Sequence, residues 1–161
     1  MIYKGFLYLD MFSIKIDNNI IKNINLLDIE RLHPHEKVIV NKKEILKQNL
    51  KYKDNHVIIS SIIVCEQSNT IIDGHHRYFA LKELGLKKIP VTFINYLSEK
   101  IKTDSKNSYS KYDIIENAKN GNLYEPKSTK HLIYCEEEMD WFPITLISTL
   151  FNLKLNWFED I

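Results

Sequence analysis

Short runs of β-branched residues bounded by polar turns recur through the middle of the chain. Ser61–Cys65 and Thr70–Ile72 are two such runs, and the polar residues 66–69 between them predict a β-hairpin. Ile89–Asn95 has the same character after a pair of lysines, and it predicts a third strand. The middle of the chain is therefore expected to contain a small sheet.

The N-terminal part carries weaker strand signals. Apolar residues on both sides of the polar cluster Asp17–Asn19 predict a second hairpin (Ile14, Ile16, Ile20 and Ile21). The alternation of apolar and polar residues over positions 27–32 indicates one more strand. Pro34 should end regular structure there, because proline lacks a backbone N–H and fixes its own φ angle.

Two helices are predicted on either side of the central strands. Asn41 is a favourable N-cap with Glu44 three residues later, and an apolar stripe follows (Ile45, Leu46 and Leu50). Residues 77–84 have helical apolar spacing directly after the turn that ends Thr70–Ile72. Gly85 supplies the C-terminal stop of this second helix.

The C-terminal part begins with the polar residues 98–110, which predict a linker or mobile loop. Ser110 and Asp113 have the spacing of a capping box for a helix over Lys111–Lys119, closed by Gly121.

The apolar and aromatic tail over residues 141–161 leaves helix and strand open. Pro143 at an N-terminal helical position would suit a helix that runs to Leu150.

Composition places the chain among ordinary soluble domains. It has 161 residues, of which 44% are hydrophobic and 27% are charged, so one domain with a small appendage is expected. The net charge of +1 argues against a protein that holds DNA mainly by bulk charge, although a local basic site stays open. Only two of the 22 basic residues are arginines, Arg31 and Arg77, which draws attention to the setting of Arg77.

The cysteines and apolar runs bear on localisation. Cys65 and Cys135 lie far apart without a CxxC spacing, which predicts a reduced, cytoplasmic protein rather than a disulfide framework or a zinc module. Residues 1–12 lack the pattern of a signal peptide. The longest apolar-rich run, Val57–Cys65, is too short to span a bilayer, so no membrane association is expected.

The strongest chemical signal is Asp73-Gly74-His75-His76-Arg77, placed between a predicted strand and a predicted helix. Glycine permits a tight turn, and the helix start offers unpaired backbone N–H groups. Two imidazoles and a guanidinium on the same turn complete an anion site suited to phosphate. Asp73 could hold Mg²⁺ or a substrate hydroxyl. The alternative is an ordinary strand–turn–helix corner with surface histidines, and a zinc site is neither excluded nor specified.

This region resembles the ParB/sulfiredoxin superfamily. The resemblance runs over residues 33–96 and includes Pro34-His35-Glu36, which matches a "PHE" upstream of the turn in these folds. Sulfiredoxins carry a nucleophilic Cys where this chain has His75. ParB proteins continue into a helix-turn-helix domain, which we do not expect here. The DGHHR form is typical of the free L-serine kinases of this superfamily.

A second segment supports that branch. The run over residues 126–131 resembles the "PPKTTRH" loop of these kinases, with Glu125, Ser128 and Lys130 as departures. Its donor side chains would suit an anion in any case, although a solvated loop is the plain alternative (Lys127, Ser128, Thr129 and His131). In the kinases that the chain resembles, the Glu of the PHE motif is the essential catalytic residue, which corresponds to Glu36. A carboxylate there could accept the proton of the serine hydroxyl.

The resemblance implies an α+β ParB/sulfiredoxin-like domain with a mixed sheet and short helices. We expect a nucleotide-binding domain over residues 1–97 and a small helical or mixed C-terminal lobe with the phosphate-binding loop over residues 98–161. The implied activity is phosphorylation of free L-serine with ADP or ATP and Mg²⁺, with Glu36 and Asp73 as catalytic residues and residues 74–77 on the phosphates. The alternatives are a ParB-like nucleotide-binding regulator and a homologue that has lost catalysis. The donor nucleotide, the hydroxy amino acid and the oligomeric state stay open.

Overall fold

The computed structural model describes residues 14–50, 56–104 and 109–154. These segments contain three helices: α1 (Val40–Asn49), α2 (His75–Glu83) and α3 (Lys111–Lys119). They also contain nine strands: β1 (Ile21–Asp28), β2 (His56–Ser60), β3 (Ile62–Cys65), β4 (Ile71–Asp73), β5 (Lys88–Ile94), β6 (Ile101–Thr103), β7 (His131–Cys135), β8 (Asp140–Pro143) and β9 (Leu150–Lys154). The predicted α+β class with a mixed sheet and short helices is confirmed.

The central sheet has the strand order β1-β5-β3-β4. Strands β3 and β5 are parallel, and both outer pairs are antiparallel. All four residues of β3 are buried because a hydrophobic cluster covers each face of the sheet: Ile62 and Val64 belong to one, Ile63 and Cys65 to the other. The continuous apolar run that predicted this strand therefore reflects burial on both sides.

Two smaller sheets extend the fold. Strands β6, β7 and β8 form an antiparallel sheet, and β2 pairs with β9. The second hydrophobic cluster joins Ile63 of the central sheet to residues from the C-terminal part of the chain, such as Ile133 and Ile147. The division at residue 97 into two domains stays a prediction. No helix of the described segments is both long and apolar enough to cross a membrane.

Several predicted elements are confirmed around the central turn. The β3–β4 hairpin forms, and α2 follows it at once. Gly85 adopts a positive φ after α2, and Gly121 does so after α3. The Ser110 hydroxyl accepts the Asp113 N–H at 3.0 Å, while the Asp113 carboxylate accepts the Ser110 N–H at 3.0 Å, so the capping box of α3 is complete.

The N-terminal predictions need correction. A turn forms at residues 18–19, but no hairpin does, because β1 pairs with β5 rather than with residues 14–16. The weak strand signal over residues 27–32 is also wrong beyond Asp28, since a 3₁₀ turn occupies Ile29–Arg31. The prediction that residues 1–12 are no signal peptide lies outside the described residues.

Two helix and loop boundaries also differ. Helix α1 begins at Val40, and its N-cap is Ile39 rather than Asn41, without a side-chain cap. The predicted linker over residues 98–110 contains strand β6, which pairs with β7.

In the tail, a short 3₁₀ turn over Ile144–Ile147 leads into β9, so no helix runs to Leu150. The pairing of β9 with β2 decides this, and it joins residues about 90 positions apart, a distance that local spacing does not reveal.

Candidate active site

One cleft of about 680 Å³ is lined by residues of the PHE segment, the DGHHR turn and the loop over residues 126–131. Every predicted site residue lines it except Ser128, whose hydroxyl donates to the carbonyl of Glu125 at 2.7 Å on the surface (Glu36, Asp73, Gly74, His75, His76, Arg77, Lys127, Thr129 and His131). The rest of the wall is largely apolar and comes mainly from α1, α2, β2 and residues 143–145, including Leu46, Leu50 and Ile58. The cleft therefore has a charged end and an apolar side.

The DGHHR turn depends on the conformation of its glycine. Gly74 is the N-cap of α2 with a φ of 103°, a left-handed conformation that L-residues rarely adopt. A Cβ at this position would lie 2.8 Å from Arg77 Nη2, because the guanidinium folds back over the turn. Arg77 Nη2 donates to the carbonyl of Ser61 at 3.1 Å and lies 3.5 Å from Asp73 Oδ2. The turn thus places a guanidinium and a carboxylate together at the cleft.

A buried group of three histidines lies behind this turn. The ring of His35 is edge-on to the rings of His75 and His131, with centroids 4.5 and 5.9 Å away. Burial lowers the pKa of His35 to about 4 and that of His131 to about 3, and it lowers the pKa of His75 as well. All three imidazoles are therefore neutral at physiological pH and bring no positive charge to the cleft.

Two of these histidines form hydrogen bonds with groups from other parts of the chain. His75 Nε2 accepts the backbone N–H of His35 at 3.2 Å, and the hydroxyl of Tyr96 lies 2.8 Å from His131 Nε2. The first bond fixes the start of α2 relative to the PHE segment, and the second fixes the start of β7 relative to Tyr96. The assignment of His75 and His131 to phosphate stays a prediction.

His76 faces a second group of side chains. Its Nε2 accepts the backbone N–H of Ile39 at 3.0 Å, so it ties the start of α1 to the start of α2. Partial burial lowers the pKa of His76, and the nearby charges of Lys42 and Lys127 lower it further. His76 therefore joins the DGHHR turn to two lysines that come from separate parts of the chain.

Lys42 does not line the cleft, but its charge acts on His76 beside it, and sequence reasoning missed it. The amino group of Lys127 lies close to that of Lys42 and lowers its pKa, because two ammonium groups near each other repel. Neither amino group forms an ion pair with a carboxylate of the described residues. The available signal was a lysine in the first turn of a helix, where the helix dipole disfavours a cation.

The carboxylate of Glu36 accepts hydrogen bonds from the loop over residues 126–131. Oε1 accepts the backbone N–H of Lys127 at 2.5 Å. Oε2 accepts the hydroxyl of Thr129 at 2.7 Å and its backbone N–H at 3.3 Å. Burial raises the pKa of Glu36; the bonds from Thr129 and Lys127 lower it, and the charge of Asp73 raises it. Glu36 is thus a buried carboxylate that lies beside a second carboxylate in the same cleft.

Backbone contacts dock the same loop against the PHE segment. Tyr124 N–H donates to the carbonyl of His35 at 2.8 Å, and Lys37 N–H donates to the carbonyl of Tyr124 at 2.9 Å. Lys37 and Glu125 add an exposed ion pair at 2.6 Å. The two motifs that the sequence places about 90 positions apart therefore form one structural unit.

No cluster of three or more His, Cys, Asp or Glu side chains within the described segments is placed to hold a metal ion. Asp73 and Glu36 are the carboxylates that line the cleft. A divalent cation bound there would need most of its oxygen ligands from phosphates and water, which is how Mg²⁺ is commonly held at nucleotides.

Comparison with known proteins finds relatives that match about half of the chain, while no family model matches it. The chain is 34% identical over 80 residues to an ATP-dependent L-serine kinase of Staphylothermus marinus, which covers 48% of this chain and 31% of that protein. It is 45% identical over 74 residues to a ParB-like protein of Sulfolobus acidocaldarius, covering 45% and 35% of the two chains. The matches thus span about a third of the length of these curated relatives.

Solved structures extend the similarity over almost the whole fold. A free serine kinase in complex with AMP superposes with a TM-score of 0.67 at 13% identity, covering 90% of this chain and 96% of that one. A mutant of a free serine kinase in complex with ADP gives a TM-score of 0.66 at 12% identity, with the same coverage. The predicted resemblance to free serine kinases is confirmed, in sequence over about half of the chain and in fold over most of it.

Proposed function

We propose that this protein phosphorylates free L-serine to O-phospho-L-serine, with ATP or ADP as the phosphoryl donor. The main support for the proposal is that Glu36, Arg77 and Lys127 line the same cleft. A kinase that transfers a phosphoryl group from a nucleotide to a small alcohol needs a proton acceptor and a phosphate site close together. The similarity to ATP-dependent and ADP-dependent L-serine kinases supports the same function.

The phosphates would bind at the cationic end of the cleft. Lys42 and Lys127 bring two positive charges into contact, an arrangement that an anion between or beside them would stabilise. Arg77 lies at the same cleft and can donate two parallel hydrogen bonds to a phosphate, which a lysine cannot do. The apolar side, with Leu46 and Ile58, would then receive the purine ring.

The chemistry follows from these positions. The serine hydroxyl oxygen attacks the terminal phosphorus of the nucleotide, and the bond between that phosphorus and its bridging oxygen breaks. Glu36 accepts the hydroxyl proton, while the cations stabilise the negative charge that develops on the leaving ADP or AMP. Because burial raises the pKa of Glu36, this carboxylate is a stronger base than an exposed glutamate.

Mg²⁺ would bind between Asp73 and the phosphates. It would neutralise charge on the transferring group, and Asp73 would orient the bound ion or the serine. A serine kinase of this kind draws on cytoplasmic pools of serine and nucleotide, and both cysteines of the chain are free, so we also propose a cytoplasmic location.

A direct assay tests the proposal. The purified protein is incubated with serine, Mg²⁺ and either ATP or ADP, and phosphoserine is measured by mass spectrometry. Phosphoserine that forms with one nucleotide and depends on serine supports the function and identifies the donor. Nucleotide binding by calorimetry without phosphoserine, or phosphorylation of another hydroxy amino acid alone, contradicts it.

The second candidate is a ParB-like nucleotide-binding regulator. The 45% identity to a ParB-like protein favours it, since that match is higher than the identity to the serine kinases. Such a module would use the same cleft to bind a nucleotide as a switch without transferring its phosphate. Tight binding of CTP in preference to adenine nucleotides, together with no phosphoserine, would select this function.

A further inference from the structure

Three side chains form a directed chain of hydrogen bonds from the buried histidine group to the carboxylate. His35 Nε2 lies 2.8 Å from Thr129 Oγ1, and Thr129 Oγ1 lies 2.7 Å from Glu36 Oε2. An ionised carboxylate can only accept, so the single hydroxyl proton of Thr129 points to Glu36. The oxygen of Thr129 must then accept from His35, which assigns the imidazole proton of His35 to Nε2. A proton on Nδ1, toward the backbone of Ile71, would instead leave two acceptors facing each other across 2.8 Å.

We propose that His35 and Thr129 are positioning residues that fix the Glu36 carboxylate for proton transfer, with Oε2 as the anchored oxygen and Oε1 as the acceptor of the serine proton. The inference rests on the proposed kinase function for its chemical meaning. The hydrogen-bond chain itself does not depend on that function. Neither His35 nor Thr129 needs to touch the reacting atoms to act in this way.

The occupancy of the carboxylate oxygens leads to this assignment. Oε2 already accepts two donors, both from Thr129. Oε1 accepts only the Lys127 N–H. Since a carboxylate has about four acceptor positions, the free one is on Oε1.

Burial explains why a histidine stands at the start of this chain of hydrogen bonds. His35 is fully buried, and burial keeps its imidazole neutral. A neutral ring has one N–H, so it donates to Thr129 in a single direction. A hydroxyl that accepts from His35 cannot rotate its own proton away from Glu36. An exposed threonine without this partner would exchange its proton between several acceptors, including water.

Other groups around Glu36 do not replace this chain. Asp73 faces it with a negative charge from the end of β4, which favours protonation of Glu36. Lys127 contacts it only through its backbone N–H. His35 precedes it in the chain and contacts its carboxylate only through Thr129. The hydroxyl of Thr129 is therefore the only side-chain donor to Glu36 in the described segments.

Substitutions at Thr129 and a neighbour provide the test. Thr129→Val keeps the shape and removes the hydroxyl, while Thr129→Ser keeps the hydroxyl. Ser128→Ala removes an adjacent hydroxyl that donates to the Glu125 carbonyl. Thr129→Val should lower kcat about tenfold or more, the equivalent of one hydrogen bond to a charged group, with KM for the nucleotide unchanged. It should also move the acid limb of the pH–rate profile to higher pH, because the carboxylate loses a donor. Thr129→Ser should restore most of the kcat and of the pH–rate profile that Thr129→Val loses, and Ser128→Ala should change both less than Thr129→Val does.

Two NMR measurements on the full chain need no kinase activity. Long-range ¹⁵N–¹H spectra of the wild type report the tautomer of His35, and the proton is expected on Nε2. A ¹³C titration of the Glu36 carboxyl group should give a higher pKa in Thr129→Val than in the wild type. The tautomer is read from the wild type alone, so it decides the assignment even if Thr129→Val fails to fold.

The outcomes separate this inference from the proposed function. A proton on Nδ1 of His35, or a Thr129→Val protein with the wild-type pKa of Glu36, overturns the positioning chain whether or not serine is phosphorylated. The expected tautomer and pKa shift in a protein that never forms phosphoserine uphold the chain and refute the kinase. A wild-type pH–rate profile in Thr129→Val shows a merely structural residue and also overturns the inference.

Discussion

Glu36 and Thr129 lie 93 positions apart in the sequence, and a hydrogen bond of 2.7 Å joins the hydroxyl of one to the carboxylate of the other. This bond connects the PHE segment to the loop of the second motif. The buried carboxylate therefore also holds this loop in position, because the same oxygen accepts the backbone N–H of Thr129. Substitutions at Glu36 therefore need controls that separate loop docking from proton transfer.

Gly74→Ala should destabilise the protein and distort the phosphate site. The residue has a left-handed φ of 103°, and its new Cβ would lie 2.8 Å from the guanidinium of Arg77. The backbone strain alone costs roughly 1–3 kcal/mol, and the clash adds to it. Urea denaturation measures the loss in the free energy of unfolding, and calorimetry measures the weaker nucleotide binding.

Gly85→Ala is the matched control for this prediction. Gly85 also has a left-handed φ, at 83°, but no atom lies within 4 Å of the position that its Cβ would take. It should therefore show the cost of the backbone conformation without the clash and without a change in nucleotide affinity. Equal effects of the two substitutions on nucleotide binding would contradict the role of the Gly74 turn.

Lys42→Gln should weaken nucleotide binding about tenfold at low salt and less at high salt, because the interaction is that of exposed charges. The amino group of Lys42 lies against that of Lys127, so its removal takes away half of the cationic pair. Calorimetry at two salt concentrations measures this change. Lys47→Gln is the control on the same helix, since Glu83 already pairs with Lys47 at 2.9 Å. A similar loss in both variants would indicate a general charge effect rather than a phosphate site.

The central turn could be predicted from the sequence because its signals are local. The hairpin before Gly74 and the helix after it follow from β-branched runs, a polar turn and helical spacing within about 25 residues. The capping box at Ser110 is equally local. Such features need no knowledge of distant partners, and here they were confirmed.

The wrong predictions concern features that depend on contacts between residues far apart in the sequence. Residues 14–16 carry a strand-like pattern, yet β1 finds its partner in β5, about 70 positions away. Asn41 is a better cap than Ile39 by intrinsic preference, but His76 accepts the N–H at the helix start and moves it. Lys42 was missed for the same reason, since only the packing of α1 beside the DGHHR turn brings it to Lys127.

The stability of the protein should fall as the pH falls below about 6.5. Burial lowers the pKa of His35 to about 4 and that of His131 to about 3, so the unfolded chain binds protons in this range that the folded protein does not. Each of these histidines lowers the free energy of unfolding by about 1.4 kcal/mol per pH unit between the unfolded and folded pKa values. The raised pKa of Glu36 acts in the opposite direction during its own titration.

Urea denaturation at several pH values, followed by circular dichroism, checks this prediction. His131→Gln should reduce the pH dependence, because it removes one of the groups that must stay neutral in the folded state. A free energy of unfolding that stays constant between pH 6.5 and 4.5 would contradict the neutral, buried histidine group.

Glu36→Gln separates enzyme from binding module. A glutamine has nearly the size of glutamate but cannot accept a proton as a base, and its amide nitrogen would face one of the donors at Lys127 or Thr129. Some loss of loop docking is therefore expected together with the loss of the base. Lys37→Ala supplies the control for docking, because it removes the exposed ion pair with Glu125 and leaves the carboxylate of Glu36 untouched.

The expected result for Glu36→Gln is retained nucleotide binding with phosphoserine formation lowered by at least about 10²-fold, the lower range for a positioned general base. Binding should be equal or slightly tighter, since a negative charge near the phosphates is removed. Lys37→Ala should keep most of the activity, because an exposed ion pair contributes little. Parallel calorimetry and phosphoserine assays on the three proteins measure both quantities. Turnover of serine by Glu36→Gln near the wild-type rate would mean that another group accepts the proton, and equal losses in Glu36→Gln and Lys37→Ala would mean that Glu36 acts through loop docking alone.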